Sequence, residues 1–161
     1  MKLATLFTIA SVAIAAPAPD FKYVLPTEIV PGTNFALIAN GGILNGRDIK
    51  RVDSHPHVFS VGGGDGWTVF LNLNSDGSLC DANSGRGIYL DPNTGELGYV
   101  DPWGQQSPTT GFTIDCDKGL CHDGWCTWRG CPSGPDKYSM TLSSFNCIGG
   151  SDFSTNIAYP V

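Results

Sequence analysis

The sequence predicts an all-β fold: a small disulfide-stapled barrel, β-trefoil-like by preference, with a β-sandwich as the alternative. Three observations carry that prediction. Glycine (21) and proline (11) break the 161-residue chain so often that, past the N-terminus, the longest stretch free of both is 136–148. That stretch is filled with poor helix formers such as Tyr138, Thr141 and Ser144. Short apolar runs recur between Gly, Pro, Asn and Asp, which is the punctuation of strands and turns. Six cysteines and 11% aromatic residues point to a packed, cross-linked interior, and 15% charged residues is too few for a charge-driven disordered chain.

The elements follow in chain order. Lys2 followed by the apolar run 3–14 and the small-residue site Ala13-Ile14-Ala15 has the form of a secretory signal over residues 1–15. The run is too short to span a bilayer, and no second one long enough follows, so no membrane partner is expected. Residues 16–34 read as an N-terminal arm, with Pro26 and Pro31 unsuited to a central strand. Residues 35–161 read as one all-β domain. Its expected strands are 35–39, 58–61, 68–73, 88–90, 97–100, 112–115, 125–128 and 138–142. One hairpin is explicit: 87–90 enters the turn Asp91-Pro92-Asn93-Thr94-Gly95 and leaves through 96–100. Pro92 presets its own φ, and Gly95 supplies positive φ where the second strand begins.

A faint threefold repeat favours the trefoil. Phe35, Phe70 and Phe112 are each followed seven residues later by glycine (Gly42, Gly77, Gly119) and then by leucine (Leu44, Leu79, Leu120). Each copy describes a strand, a turn and an apolar residue re-entering the core. Any all-β chain this rich in Gly and Leu can show the same pattern by coincidence, which leaves a β-sandwich or another barrel as the alternative.

The formal net charge of −6 comes without any basic run, so nucleic acid is not an expected partner. The nearest cluster, Arg47, Lys50 and Arg51, reads as a solvated strand edge. The cysteines are Cys80, Cys116, Cys121, Cys126, Cys131 and Cys147. Four recur as C-x4-C-x4-C-x4-C, which is not the paired spacing of a zinc site, so no metal or other cofactor is expected. An even count in an exported protein fits disulfides. Cys131 with Cys147 is the preferred pair, because Cys-Pro and Asn-Cys look like ends of neighbouring strands. The pairing of Cys80, Cys116, Cys121 and Cys126 stays open.

Candidate chemistry is sparse. Asp53-Ser54-His55-Pro56-His57 invites a metal or general-base reading, but Pro56 separates the imidazoles and a polar turn explains the segment. The loop 62–67 has the glycines of a phosphate cradle and lacks its Lys-Ser/Thr and helix start. Asp65 beside Trp67 suits a sugar better: a pyranose face stacks on the indole while the carboxylate takes hydroxyls. Trp103 and Trp125 have similar surroundings, although core or disulfide packing is the commoner explanation for each. His55, Glu96 and Arg129 are available for ribonuclease-type chemistry, with no spacing to support it.

The run Asp91-Pro-Asn-Thr-Gly95-Glu-Leu-Gly98-Tyr99, then Gly111-Phe112-Thr-Ile114-Asp115, Gly119-Leu120, Gly130-Cys131-Pro132 and Asn146-Cys147 resembles the fungal secreted cell-wall proteins of the phialide-development (PhiA) type. The likeness covers about residues 35–150. Cys116, Cys121, Cys126 and the segment 125–128 depart from it. It implies a secreted or wall-associated protein that is not an enzyme, with a role in cell-wall organisation or conidium formation, and it maps Cys131 and Cys147 as a shared bridge; cell-wall polysaccharide is the partner such a protein could meet. A lectin-like carbohydrate-binding module or a secreted effector is the alternative, and a small hydrolase or nuclease comes last.

Overall fold

A computed structural model describes residues 32–51, 59–63, 66–101, 103–104, 106–115, 117 and 119–159. The signal segment, nearly all of the arm, the Asp53–His57 motif, Asp65 and Cys116 lie outside the described residues. The described chain is all-β with one 3-10 turn, Gly42–Leu44. Its strands are β1 (Asn34–Asn40), β2 (Ile49–Arg51), β3 (Phe59–Gly62), β4 (Trp67–Thr68), β5 (Phe70–Leu73), β6 (Leu79–Asp81), β7 (Ile88–Leu90), β8 (Leu97–Tyr99), β9 (Phe112–Asp115), β10 (Gly119–His122), β11 (Trp128–Gly134), β12 (Lys137–Leu142) and β13 (Ser151–Ala158).

Nine strands form one antiparallel sheet in the order β4-β2-β3-β12-β11-β13-β1-β5-β6, and β9–β10 and β7–β8 form two hairpins. The long sheet does not close into the expected barrel. Between β1 and the segment leading into β2 the pairing is limited to one isolated bridge, Ile38↔Asp48. The edge strand β4 is two residues long and breaks at Val69 before β5 begins. Val69 and Ala39 donate to the Ile49 and Arg47 carbonyls across this region without extending the ladder.

Alternation sets the core. In β1, Phe35, Leu37 and Ala39 face the main cluster, while Ala36 and Ile38 meet Ala158 and Phe70 on the other side. Phe59, Val61, Leu71, Leu97, Trp128 and Met140 complete an interior of fully buried side chains from most of the strands. Trp128 has no exposed surface, and its indole N–H donates to the Leu120 carbonyl at 2.7 Å, fixing β11 against the β9–β10 hairpin. The three repeat glycines all have positive φ (Gly42 58°, Gly77 79°, Gly119 75°), and the three repeat leucines are fully buried.

The turn at Gly95 has the anticipated geometry, with φ 70° and register Leu90↔Leu97. The expected strand 125–128 does not form. Cys121 and Cys126 are joined by a disulfide that closes a turn through Gly124 (φ 82°), and the strand starts at Trp128. Cys131, in the body of β11, is bonded to Cys147 on the segment between β12 and β13, with Cα atoms 5.8 Å apart. Cys80 has no disulfide partner among the described residues. Two disulfides point to an oxidising compartment. Because the Cys131–Cys147 bridge spans 16 residues, replacing both cysteines with serine should cost about 3 kcal/mol. Urea unfolding of the double variant checks this, and an unchanged midpoint refutes it.

Candidate functional site

The polar residues best placed to organise a surface converge on Asp81, at the end of β6. Alternation puts Asp81 on the inward face with Leu79, and its side chain is 1% exposed. A buried carboxylate is costly unless its lone pairs are occupied, and here they are. Oδ2 accepts from Tyr99 Oη at 2.9 Å, Ser84 Oγ at 2.9 Å and Arg51 Nη1 at 3.1 Å, and Oδ1 accepts the Asn83 N–H at 2.8 Å. Burial by itself raises the Asp81 pKa. The N–H of Asn83, the hydroxyls of Tyr99 and Ser84 and the Arg51 guanidinium outweigh it, so the carboxyl lies below its ordinary value. Burial, then the bond to Asp81, pushes the Tyr99 phenol well above its ordinary value and keeps it a donor.

Tyr99 packs edge-on against Phe59, with ring centroids 5.1 Å apart, which ties the cluster to the core. On its other side the Arg86 guanidinium stacks at 4.5 Å from the Tyr99 ring and donates to the Val100 carbonyl at 3.0 Å. Arg51 does the same for an exposed aromatic. Its Cζ lies 5.7 Å from the ring centroid of Trp67, its cross-strand partner in β4. Trp67 is 62% exposed. A surface indole is thus backed by a guanidinium anchored on a buried carboxylate.

The other sequence candidates fall as follows. Trp103 is 94% exposed in the turn after β8, with its backbone N–H donating to Asp101 Oδ1 at 2.9 Å. Three residues of chain separate it from Val100, a reach of at most about 11 Å. Trp125 is 62% exposed in the disulfide-closed turn, where its backbone exchanges two hydrogen bonds with His122. Asp65, expected to serve Trp67, lies outside the described residues. Glu96 and Arg129 flank the same residue, Thr141, on neighbouring strands, which sets them about 10 Å apart. Arg129 is committed to Asp152, at 2.6 and 3.0 Å, and to Asn146. No cluster of three or more metal-ligating side chains occurs among the described residues.

Sequence reading missed Arg51, Asp81, Arg86 and Tyr99 as partners. The available signal was the alternation Leu79-Cys80-Asp81, which turns a carboxylate inward. Comparison with family models, with curated proteins and with solved structures returned no match.

Proposed function

We propose that this is a secreted, wall-associated fungal protein that catalyses no reaction and works by holding cell-wall polysaccharide on the Trp67 platform. The observation that carries the reading is an indole 62% exposed at a sheet edge, with Arg51 behind it and that guanidinium bonded to buried Asp81. A ring held against a guanidinium loses little conformational freedom when a pyranose stacks on it. Trp103, 94% exposed in the turn after β8, offers a further aromatic surface for a sugar. The disulfides and the PhiA-type motifs of the C-terminal half support the extracellular setting. We further read the architecture as trefoil-related, on the shared positive φ and buried leucine of the three Phe-Gly-Leu repeats.

Retention on insoluble chitin, β-glucan and mannan tests the function. One of the three should hold the protein, and Trp67→Ala should weaken that affinity at least tenfold, about 1.4 kcal/mol. Absence of retention on all three refutes the reading.

A further inference from the structure

We propose that the cavity on the opposite face of β2 is a second sugar subsite, so that the protein cross-links polysaccharide strands; the cross-linking rests on the Trp67 reading, the subsite does not. The cavity holds about 280 Å³ between the turn before β2, the end of β3 and the β11–β12 turn. That is just below the usual range for small-molecule pockets, about 300–1,000 Å³, and suits a ligand of about one ring. It is lined by the charged side chains of Arg47, Asp48, Lys50 and Asp136 and by Gly46, Gly62 and Gly63.

The chemistry of the walls selects the ligand. Two positive charges face two negative ones, so a simple anion or cation meets its own sign as well as the opposite one. Arg47 is held by Asp136 at 2.5 Å, Lys50 Nζ gives one proton to the Gly63 carbonyl at 2.9 Å, and Asp48 Oδ2 accepts the Thr68 hydroxyl at 3.1 Å. Lys50 keeps further protons and Asp48 further lone pairs beside them. Adjacent hydroxyls, each both donor and acceptor, match such a mixed wall, and among the described residues no apolar side chain lines it. Gly62 has φ 75°, a conformation that side chains rarely adopt, and a Cβ there would also meet the Asp136 carbonyl oxygen at 3.2 Å.

Register fixes how the two sites are related. Lys50 pairs with Thr68 and Arg51 with Trp67. Neighbouring residues of a strand point to opposite faces, so the cavity and the indole look away from each other across one strand. One sugar ring cannot occupy both, and two sites facing opposite ways gain avidity by bridging separate polymer strands.

The test uses the full chain labelled with ¹⁵N, hexasaccharides of chitin, β-glucan and mannan, and light scattering with the matching polymers. With at least one hexasaccharide, the Gly62 and Gly63 amides should shift saturably. Lys50→Met should weaken that response at least tenfold and leave the Trp67 indole response intact, and Trp67→Ala should leave the Gly62 and Gly63 response intact. The wild-type protein should aggregate the polymer, and neither single variant should. Asp48→Asn repeats the cavity arm if Lys50→Met loses spectral dispersion. If the indole responds and Gly62 and Gly63 do not, the second site is refuted and the Trp67 reading stands. If the glycines respond and the indole does not, the Trp67 reading and cross-linking both fail, while the sugar subsite stands. Polymer aggregation by Lys50→Met overturns cross-linking through this cavity.

Discussion

Asp81→Ala should destabilise the protein by about 3–5 kcal/mol, the range for removing one partner of a buried ion pair. The substitution takes the acceptor from Arg51, Tyr99, Ser84 and the Asn83 N–H together. It leaves the buried Tyr99 phenol without the acceptor that offsets its desolvation and takes the buried carboxylate from the Arg51 guanidinium. Thermal and urea unfolding report the loss directly. Asp81→Asn should cost less, because an amide still accepts from Tyr99 while losing the charge. The same cluster sets two pH limits. The folded-state pKa of Asp81 is depressed, so its stabilisation is present above the ordinary carboxylate pKa of about 4 and drains away as pH falls through the lower folded value. The Tyr99 pKa is raised, so its contribution is complete below about pH 10 and is lost as pH rises beyond that. Unfolding curves across pH should therefore fall off at both ends, and the acid limb should flatten in Asp81→Asn. A variant as acid-sensitive as the wild type contradicts the assignment to Asp81.

Gly119→Ala should be at least as damaging, at about 3 kcal/mol or more. A Cβ on Gly119 would come within van der Waals overlap of the Thr155 carbonyl oxygen, and a backbone atom of a central strand cannot swing aside. The residue also has φ 75°, which side chains other than glycine tolerate poorly. The contact is close because Leu120 N–H donates to Thr155 Oγ1 at 2.7 Å, drawing β10 onto β13. Gly77→Ala makes an informative comparison, since its nearest neighbour would be 3.2 Å away. Denaturant midpoints should rank Gly119→Ala well below Gly77→Ala, and equal midpoints would show that the β9–β10 hairpin is not seated as described.

Much of the fold was legible where turn chemistry and apolar alternation coincide. Asp91-Pro92 and Gly95 mark the β7–β8 hairpin by their own dihedral preferences. Phe35, Leu37 and Ala39 mark β1, and Phe112 opens β9. The strands that went unread hide their inward faces. β13 alternates correctly, but one of its inward positions is Thr155, 2% exposed, where a hydroxyl stands in for an apolar side chain to hold Leu120 N–H. β10 contains Cys121 and His122, which draw attention to bridges and metals rather than to pairing. β2 carries Lys50 and Arg51 after Ile49, so two charges conceal a strand that is paired on both sides.

The candidate site was legible only at its surface. Trp67, Trp103 and Trp125 can be picked out by composition, but Trp67 differs from Trp125 in what stands behind it. That difference comes from β2, β6 and β8, brought together from separate parts of the chain. No spacing in sequence reports that Asp81 meets Arg51 and Tyr99. Evenly spaced cysteines likewise do not reveal that Cys121–Cys126 closes a turn whereas Cys131–Cys147 ties a strand to a distant loop.

Depletion isotherms on whichever polysaccharide retains the protein, comparing Trp67→Ala with Trp125→Ala, test the central claim most directly. Both indoles are 62% exposed, but only Trp67 is backed by the Arg51–Asp81 pair. The account predicts at least a tenfold loss of affinity for Trp67→Ala and an affinity within twofold of wild type for Trp125→Ala. Equal affinities for the two variants, or loss confined to Trp125→Ala, would contradict it.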